Sequence, residues 1–212
     1  MARPKRTSAS ADEGATSKRQ SILAAARQIF LENGYGKASM DAVAARAAVS
    51  KATIYAHFSS KRVLFEAIIG QRCEAIFAPI GLPENITDGR QALLHLATHF
   101  LTQILAPEAI SIHRVVVGES PHLPEVGEAF YAAGPAVAHQ RVARLFGELG
   151  RLGYLALPEA QIPVITDLFL AMLKGDIHTR ALLNLPPGHR TVQTMAEAAV
   201  DLVLARYRAG NN

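Results

Sequence analysis

The chain has 212 residues, half of them hydrophobic, which is enough for one large domain or two small ones with a buried core and excludes a wholly disordered polypeptide. Its 22 Lys plus Arg against 18 Asp plus Glu give a net charge of +4, but residues 1–66 carry eleven basic and five acidic side chains, net +6, whereas residues 67–212 carry eleven and thirteen, net −2. The positive field sits on the first third, so a polyanion such as DNA is a natural partner for that third and not for the remainder.

A single cysteine, Cys73, excludes an intramolecular disulfide and a cysteine-based zinc finger, and suits a reducing cytoplasm. The sequence holds no run of about eighteen consecutive apolar residues to span a membrane. Its basic start leads into the polar stretch Ser8 to Gln20, where a signal peptide needs an apolar core, so a cytoplasmic location with no membrane partner is expected.

In chain order, Met1 to Thr16 is rich in Ser, Ala and Lys/Arg without apolar periodicity and reads as a disordered basic arm. From Ser17, Ile22, Ala26, Ile29 and Phe30 recur at helical spacing, and Gly34 follows where a left-handed residue closes a helix. Ser39 caps a second helix with Asp41 in its first turn, ending near Ala48, and Ser50 caps a third, Lys51 to Phe58. There Ile54 and Phe58 face inward at i, i+4 and leave Lys51, Thr53, Tyr55 and His57 on other faces. Ser59 or Ser60 caps a fourth helix, carried by Leu64, Ile68, Ile69, Cys73, Ile76 and Phe77 until Pro79, Gly81 and Pro83 stop it.

Further helices are expected at Asp88 to Leu105, Pro107 to Val117, Leu123 to Ala133, Pro135 to Leu152, Pro158 to Leu185 and Thr191 to Arg208. No segment alternates with period two and no repeat recurs at twenty to fifty residues, so the fold class is all-α without a solenoid.

Short helices joined tightly through Ala48, Val49 and Ser50 have the pattern of a helix-turn-helix, whose second element enters the major groove. The run from Ser39 to Leu64 resembles the DNA-binding signature of the TetR family of bacterial transcriptional regulators, most specifically at Val49, Ser50, Ile54, Tyr55, His57, Phe58, Lys61 and Leu64, and the resemblance covers about residues 17–66. Ala48 departs from the glycine often found in that turn and requires a backbone that avoids a strongly left-handed conformation.

Lys51 and Lys61 are expected to neutralise phosphates, helped by the positive ends of the third and fourth helices. Ala52, Thr53 and Tyr55 are the candidates to reach base edges, Thr53 by hydroxyl or methyl and Ala52 against a thymine methyl. The resemblance implies phosphate and sugar contacts from Tyr55 and His57 and backbone contacts from Ser39 and Met40. Arg3, Lys5 and Arg6 are candidates for the minor groove.

The same resemblance implies that residues 67–212 form a helical effector-binding and dimerisation domain, following the helix-turn-helix domain at 17–66. Stretches from Arg114 to Ala138 and from Leu173 to Ala181 resemble the C-terminal domain of the AefR-like branch. Phe100, Gln103, His113, Glu119, Phe130, Tyr131, Phe169 and Met172 are the candidates to line a cavity for a mainly apolar effector with a polar end. The broad apolar faces of the last two helices, through Ile165, Leu168, Leu173, Val200, Val203, Leu204 and Tyr207, are expected to make a four-helix bundle with a second copy. A homodimer implies a palindromic operator. The function expected is a repressor released from DNA by its effector, without a cofactor.

Two other readings compete. An effector-independent dimeric DNA-binding protein has the same helices. A helical metal-dependent enzyme would use His95 and His99 at i, i+4 with His113, but position 96 is Leu96 where a zinc protease motif has Glu. Gly118 to His122 lacks the closing glycine of a hydrolase elbow, and Gly36 and Lys37 do not extend to a phosphate loop, so neither enzyme class is expected.

Overall fold

A computed structural model describes residues 9–77 and 88–209. Among them are ten α-helices: α1 Ala9–Lys37, α2 Met40–Arg46, α3 Lys51–His57, α4 Lys61–Phe77, α5 Gly89–Ile104, α6 Pro107–Glu119, α7 Pro124–Ala133, α8 Pro135–Arg151, α9 Ile162–Leu182 and α10 Val192–Tyr207. A single 3-10 turn, Glu159–Gln161, precedes α9, and the only pairing of extended residues among those described is the bridge between Leu155 and Arg208. The all-α class expected from the sequence is the one observed.

Two compact units are present, one drawn from Met1–Ile69 and Val115–Phe130, the other from Gly70–Arg114 and Tyr131–Asn212. The first division falls three residues beyond the expected boundary after position 66. The expectation of one uninterrupted C-terminal domain differs from the observed grouping, because the segment Val115–Phe130 contributes Val116, Val126 and Ala129 to the buried apolar set of the first unit. The expected disordered arm at 1–16 is also corrected in part. Helix α1 already begins at Ala9, in a stretch where alanine favours the helix, while Arg3, Lys5 and Arg6 lie outside the described residues.

In the first unit Ile22, Ala26, Ile29 and Phe30 line the buried side of α1, with Val43 of α2, Ile54 of α3 and Leu64, Phe65 and Ile68 of α4. Phe30, Tyr35 and Phe65 form an aromatic trio with ring centroids 5.2–5.6 Å apart, Phe30 on Tyr35 stacked and the others edge to face. At Gly34 the backbone takes φ 74° and ψ 172°, a conformation essentially restricted to glycine, and the chain turns there before one last helical stretch to Lys37.

The second unit has its own core. Helix α5 packs on α10, α8 on α9 and α9 on α10. Their contact surfaces bury Leu93, Leu96, Leu101, Val142, Phe146, Leu149, Phe169, Leu173, Ala196, Val200 and Val203. Asp88 accepts from the N–H of Arg90 at 2.9 Å to cap α5. Thr191 and Thr194 form a reciprocal capping box at α10. Helix α9 is broken at Gly175, where φ is 39° and ψ is −147°.

Candidate nucleic-acid interface and effector residues

The helix-turn-helix is built from local hydrogen bonds. Ser39 Oγ accepts from the N–H of Ala42 at 3.1 Å and Ser50 Oγ from that of Thr53 at 3.0 Å, so each side chain satisfies an orphan donor at the start of α2 or α3. Helix α2 closes in a Schellman motif: Val49 N–H bonds to Ala44 C=O at 3.0 Å and Ala48 N–H to Ala45 C=O at 3.2 Å. That motif needs a left-handed residue, and Ala48 supplies it at φ 53°. The expectation that Ala48 avoids this conformation is therefore wrong, because the paired hydrogen bonds offset the steric cost of its Cβ.

Burial of Ile54 at 0% and Phe58 at 2% exposure fixes which side of α3 faces outward. Lys51, Ala52 and Tyr55 are exposed, and Thr53 is half-buried with its hydroxyl 2.8 Å from that of Ser50. His57 is half-buried, its ring 6.4 Å from that of Phe58. Lys51 Nζ lies 2.9 Å from an Asp41 carboxylate oxygen, and this hydrogen bond raises its pKa.

Two of the expected DNA-contact residues have their side chains engaged within the protein. Met40 is buried, so its side chain packs inward while its backbone opens α2. The ammonium of Lys61 is half-buried against the end of α1. It donates to the carbonyls of Tyr35 at 2.8 Å, Gly36 at 3.2 Å and Ala38 at 3.2 Å, and sits 4.4 Å from the Tyr35 ring centroid. Burial pushes its pKa below lysine's usual range, against the pull of Glu119 and Glu125. Lys61 ties down the end of α1 through these three carbonyls.

Other residues of this surface were not singled out from the sequence. Asp41 holds Lys51, Arg46 pairs with Glu32 at 2.7 Å, and the Arg19 guanidinium lies 5.3 Å over the Phe58 ring. Asp41 carries a sequence signal only as a first-turn acid of α2, and the other two contacts link positions too far apart in sequence for periodicity to join them.

The effector candidates divide between the units. In the second, Phe100 and Phe169 belong to the core, Met172 packs partly buried against it, and the Gln103 carbonyl accepts from Arg72 at 3.4 Å. The ring of His113 lies 5.3 Å from that of His178, a residue the sequence reading passed over. Tyr131 is 60% exposed, which corrects its assignment to a cavity lining. Glu119 and Phe130 belong to the first unit. The Glu119 carboxylate occupies the space a Cβ at Gly34 would need and lies 3.1 Å from one at Gly36, so this side chain packs on the α1 turn of its own unit. His95 and His99 have ring centroids 6.3 Å apart, and no three His, Cys, Asp or Glu among the described residues are grouped to hold a metal ion.

The expected dimer face needs correction too. Leu173, Val200, Val203 and Tyr207 are buried in the core of their own unit, with Tyr207 Oη donating to Gln161 at 2.8 Å, and Ile165 and Leu204 pack partly buried beside them. Periodicity marked the inner side of α9 and α10. Leu168, at 54% exposure, is the expected residue that remains outside, joined by Val164 at 52% on α9 and Leu202 at 61% on α10. No single described helix is long and apolar enough to cross a membrane.

Two family models match the chain, one described as bacterial regulatory proteins, tetR family, over residues 22–68, and one as AefR-like transcriptional repressor, C-terminal domain, over residues 91–209. The Transposon Tn10 TetC protein of Escherichia coli is 35% identical over 86 residues, 41% of this chain and 44% of that protein. The HTH-type transcriptional regulator UidR of Escherichia coli strain K12 is 50% identical over 60 residues, 28% of this chain and 31% of its own. These matches span less than half the length of either relative. Among solved structures, the flavonoid-responsive regulator FrrA superposes with a TM-score of 0.74 at 28% identity, covering 90% of this chain and 97% of that one.

Proposed function

Because the chain belongs to the TetR family of transcriptional regulators, we propose that it works as a homodimeric repressor that places α3 in the major groove of a palindromic operator and leaves it when an effector binds in the second unit. The observation that carries this reading is the outward face of α3, where Lys51, Ala52 and Tyr55 are exposed while Ile54 and Phe58 anchor the helix from behind. In this reading Lys51, Tyr55, His57 and the start of α2 at Ser39 hold phosphates and sugars, and Ala52, Thr53 and Tyr55 read bases.

The dimer surface in this proposal is the exposed apolar strip of Val164 and Leu168 on α9 and Leu202 on α10, with Ala171, Ala198 and Ala205 between them. Exposed leucines and valines gathered on two adjacent helices favour burial against a second copy. The effector is a mainly apolar molecule, a reading to which the likeness to a flavonoid-responsive regulator lends support. Release requires only that it prefer the DNA-incompetent arrangement, and a coupling of about 1–3 kcal/mol changes operator affinity some 5- to 150-fold. A cytoplasmic location follows from operator binding.

The test is the salt-dependent affinity of the full chain for a duplex from its own upstream region, against a scrambled duplex of equal length. Tight binding to the native duplex alone, with two chains or a multiple per site, is expected. Equal weak binding to both overturns sequence-specific regulation through that region.

A further inference from the structure

We propose that Asp41 of α2 determines specificity at the DNA interface: by holding the Lys51 ammonium it confines that cation to a phosphate in one direction, which the operator supplies and other DNA in general does not. This inference rests on the DNA-contact reading above and gives an acid a role on a surface otherwise described by its cations.

The first argument is the geometry of the pair. Asp41 stands in the first turn of α2, and Lys51 opens α3 ten positions on. Lys51 Nζ lies 2.9 Å from Asp41 Oδ1 and 3.0 Å from Oδ2, so the ammonium is held by both carboxylate oxygens. The carboxylate is not spent on capping its own helix, because Ser39 Oγ takes the N–H of Ala42 at 3.1 Å. Stability does not explain the pair either. Both side chains are 64% exposed, and an exposed ion pair contributes little. The junction of α2 and α3 is already fixed by the Ala48 and Val49 hydrogen bonds and by burial of Val43, Ala44 and Ile54.

The second argument is what the pairing does to the cation. A lysine ammonium carries three donors on a flexible four-carbon stem, and left to itself it reaches any phosphate within its sweep. Held by Asp41, Lys51 keeps a donor for a phosphate on the side away from the carboxylate, and a phosphate elsewhere meets the acid's charge. Non-specific complexes form through whichever phosphates the cations can reach, so they lose this contact. A site that sets one phosphate in the permitted direction keeps it, next to Ala52 and Thr53 on the same helix. Arg46 shows the same pattern, 2.7 Å from Glu32. The lysine and the arginine between Met40 and His57 are thus both answered by a carboxylate, while Lys61 is engaged with the end of α1.

Two rival roles for the acid are separable from this one. A carboxylate can accept directly from a cytosine amino group, but both Asp41 oxygens are engaged with Lys51. A carboxylate can also repel DNA by its own charge, an effect that persists when Lys51 is removed.

The experiment is a double-mutant cycle in the full chain, with Asp41→Asn, Lys51→Ala and the two together. Affinities for the upstream duplex and the scrambled duplex are measured across a salt series, and melting curves check that each variant folds. Asp41→Asn is expected to tighten the scrambled duplex about fivefold at about 0.1 M salt and to steepen its salt slope by about one, as one more phosphate contact does. The upstream duplex gains about twofold or less, so the ratio between the two falls. With Lys51→Ala already present, the same substitution is expected to change the scrambled duplex by less than about twofold. A gain of equal size without Lys51 shows an acid acting by its own charge and overturns the proposal. An equal gain on both duplexes, or none on either, overturns it too. Equal binding of both duplexes by the unsubstituted chain fails the operator reading through that region, and the cycle on the scrambled duplex then still decides whether Asp41 restrains Lys51.

Discussion

The Lys61 ammonium reaches across 26 residues of sequence to donate to the Tyr35 carbonyl at 2.8 Å, so a lysine of α4 caps the C-terminal turn of α1. Its role is separable from that of Lys51, whose ammonium is exposed beside Asp41. Lys61→Met is expected to cost about 1–2 kcal/mol through the lost charged hydrogen bonds, a fall in melting temperature of about 2–8 °C for a chain of this size. The salt dependence of DNA binding stays as it was. Lys51→Ala is expected to do the reverse: an exposed ion pair contributes little to stability, but removing the phosphate contact proposed for it lowers the salt slope by about one. Paired melting curves and salt titrations check both, and a reduced slope in Lys61→Met returns that residue to the DNA interface.

Ala48 pays a steric cost in a conformation that glycine adopts freely. A left-handed alanine is disfavoured by roughly 1–2 kcal/mol, while glycine loses about 0.4–1 kcal/mol of the gain to the greater freedom of the unfolded chain. Ala48→Gly is expected to stabilise the protein by up to about 1 kcal/mol, a rise of about 2–4 °C, without altering sequence preference. A lower melting temperature refutes the Schellman geometry at this turn.

These two residues also mark where the sequence was legible. The caps at Ser39 and Ser50 and the starts near Asp88 and Thr191 are short-range signals, and each helix begins where they say. Ala48 misled because residue identity gives a preference, and here the hydrogen bonds of the turn outweigh it. Lys61 misled because nothing local tells an outward lysine from one folded back onto a distant helix end. Leu173 and Leu168 lie five positions apart on α9, one wholly buried and the other 54% exposed, and both fit a broad apolar stripe. A stripe that wide must be divided between a subunit's own core and its surface by tertiary packing. His178 was passed over for the same reason, since its burial, beyond the break at Gly175, is set by tertiary packing.

Stability below neutral pH should report on His178. Its pKa is depressed from 6.5 to about 4 by burial first, then by His113 and Lys174. Between these values the unfolded chain binds more protons than the folded one, so stability rises with pH. The contribution is complete above about pH 6.5 and is lost as pH falls towards 4, amounting to about 3 kcal/mol at 1.36 kcal/mol per unit. His113, shifted the same way, steepens the dependence. His178→Gln is expected to flatten the fall in melting temperature between pH 6.5 and 4.5. An unchanged pH profile in this variant assigns the acid sensitivity elsewhere.

The last prediction separates the outer faces of α9 and α10 from their inner ones. Leu168 and Leu202 are exposed on adjacent helices, and in the proposed homodimer a twofold axis through this face doubles every change made there. Each buried leucine contributes about 1.5–3 kcal/mol, so Leu168→Glu, present twice, is expected to weaken dimerisation by about a hundredfold or more before counting the buried charge. Leu202→Glu should do the same. Because two half-sites are held by one dimer, operator affinity falls with the particle mass, while the isolated chain keeps its melting transition. Val203→Ala provides the contrast: Val203 is 4% exposed inside the core, so the variant melts earlier and sediments as a dimer. Sedimentation velocity across a concentration series distinguishes these outcomes. A dimer that survives both glutamate substitutions places the contact on another face.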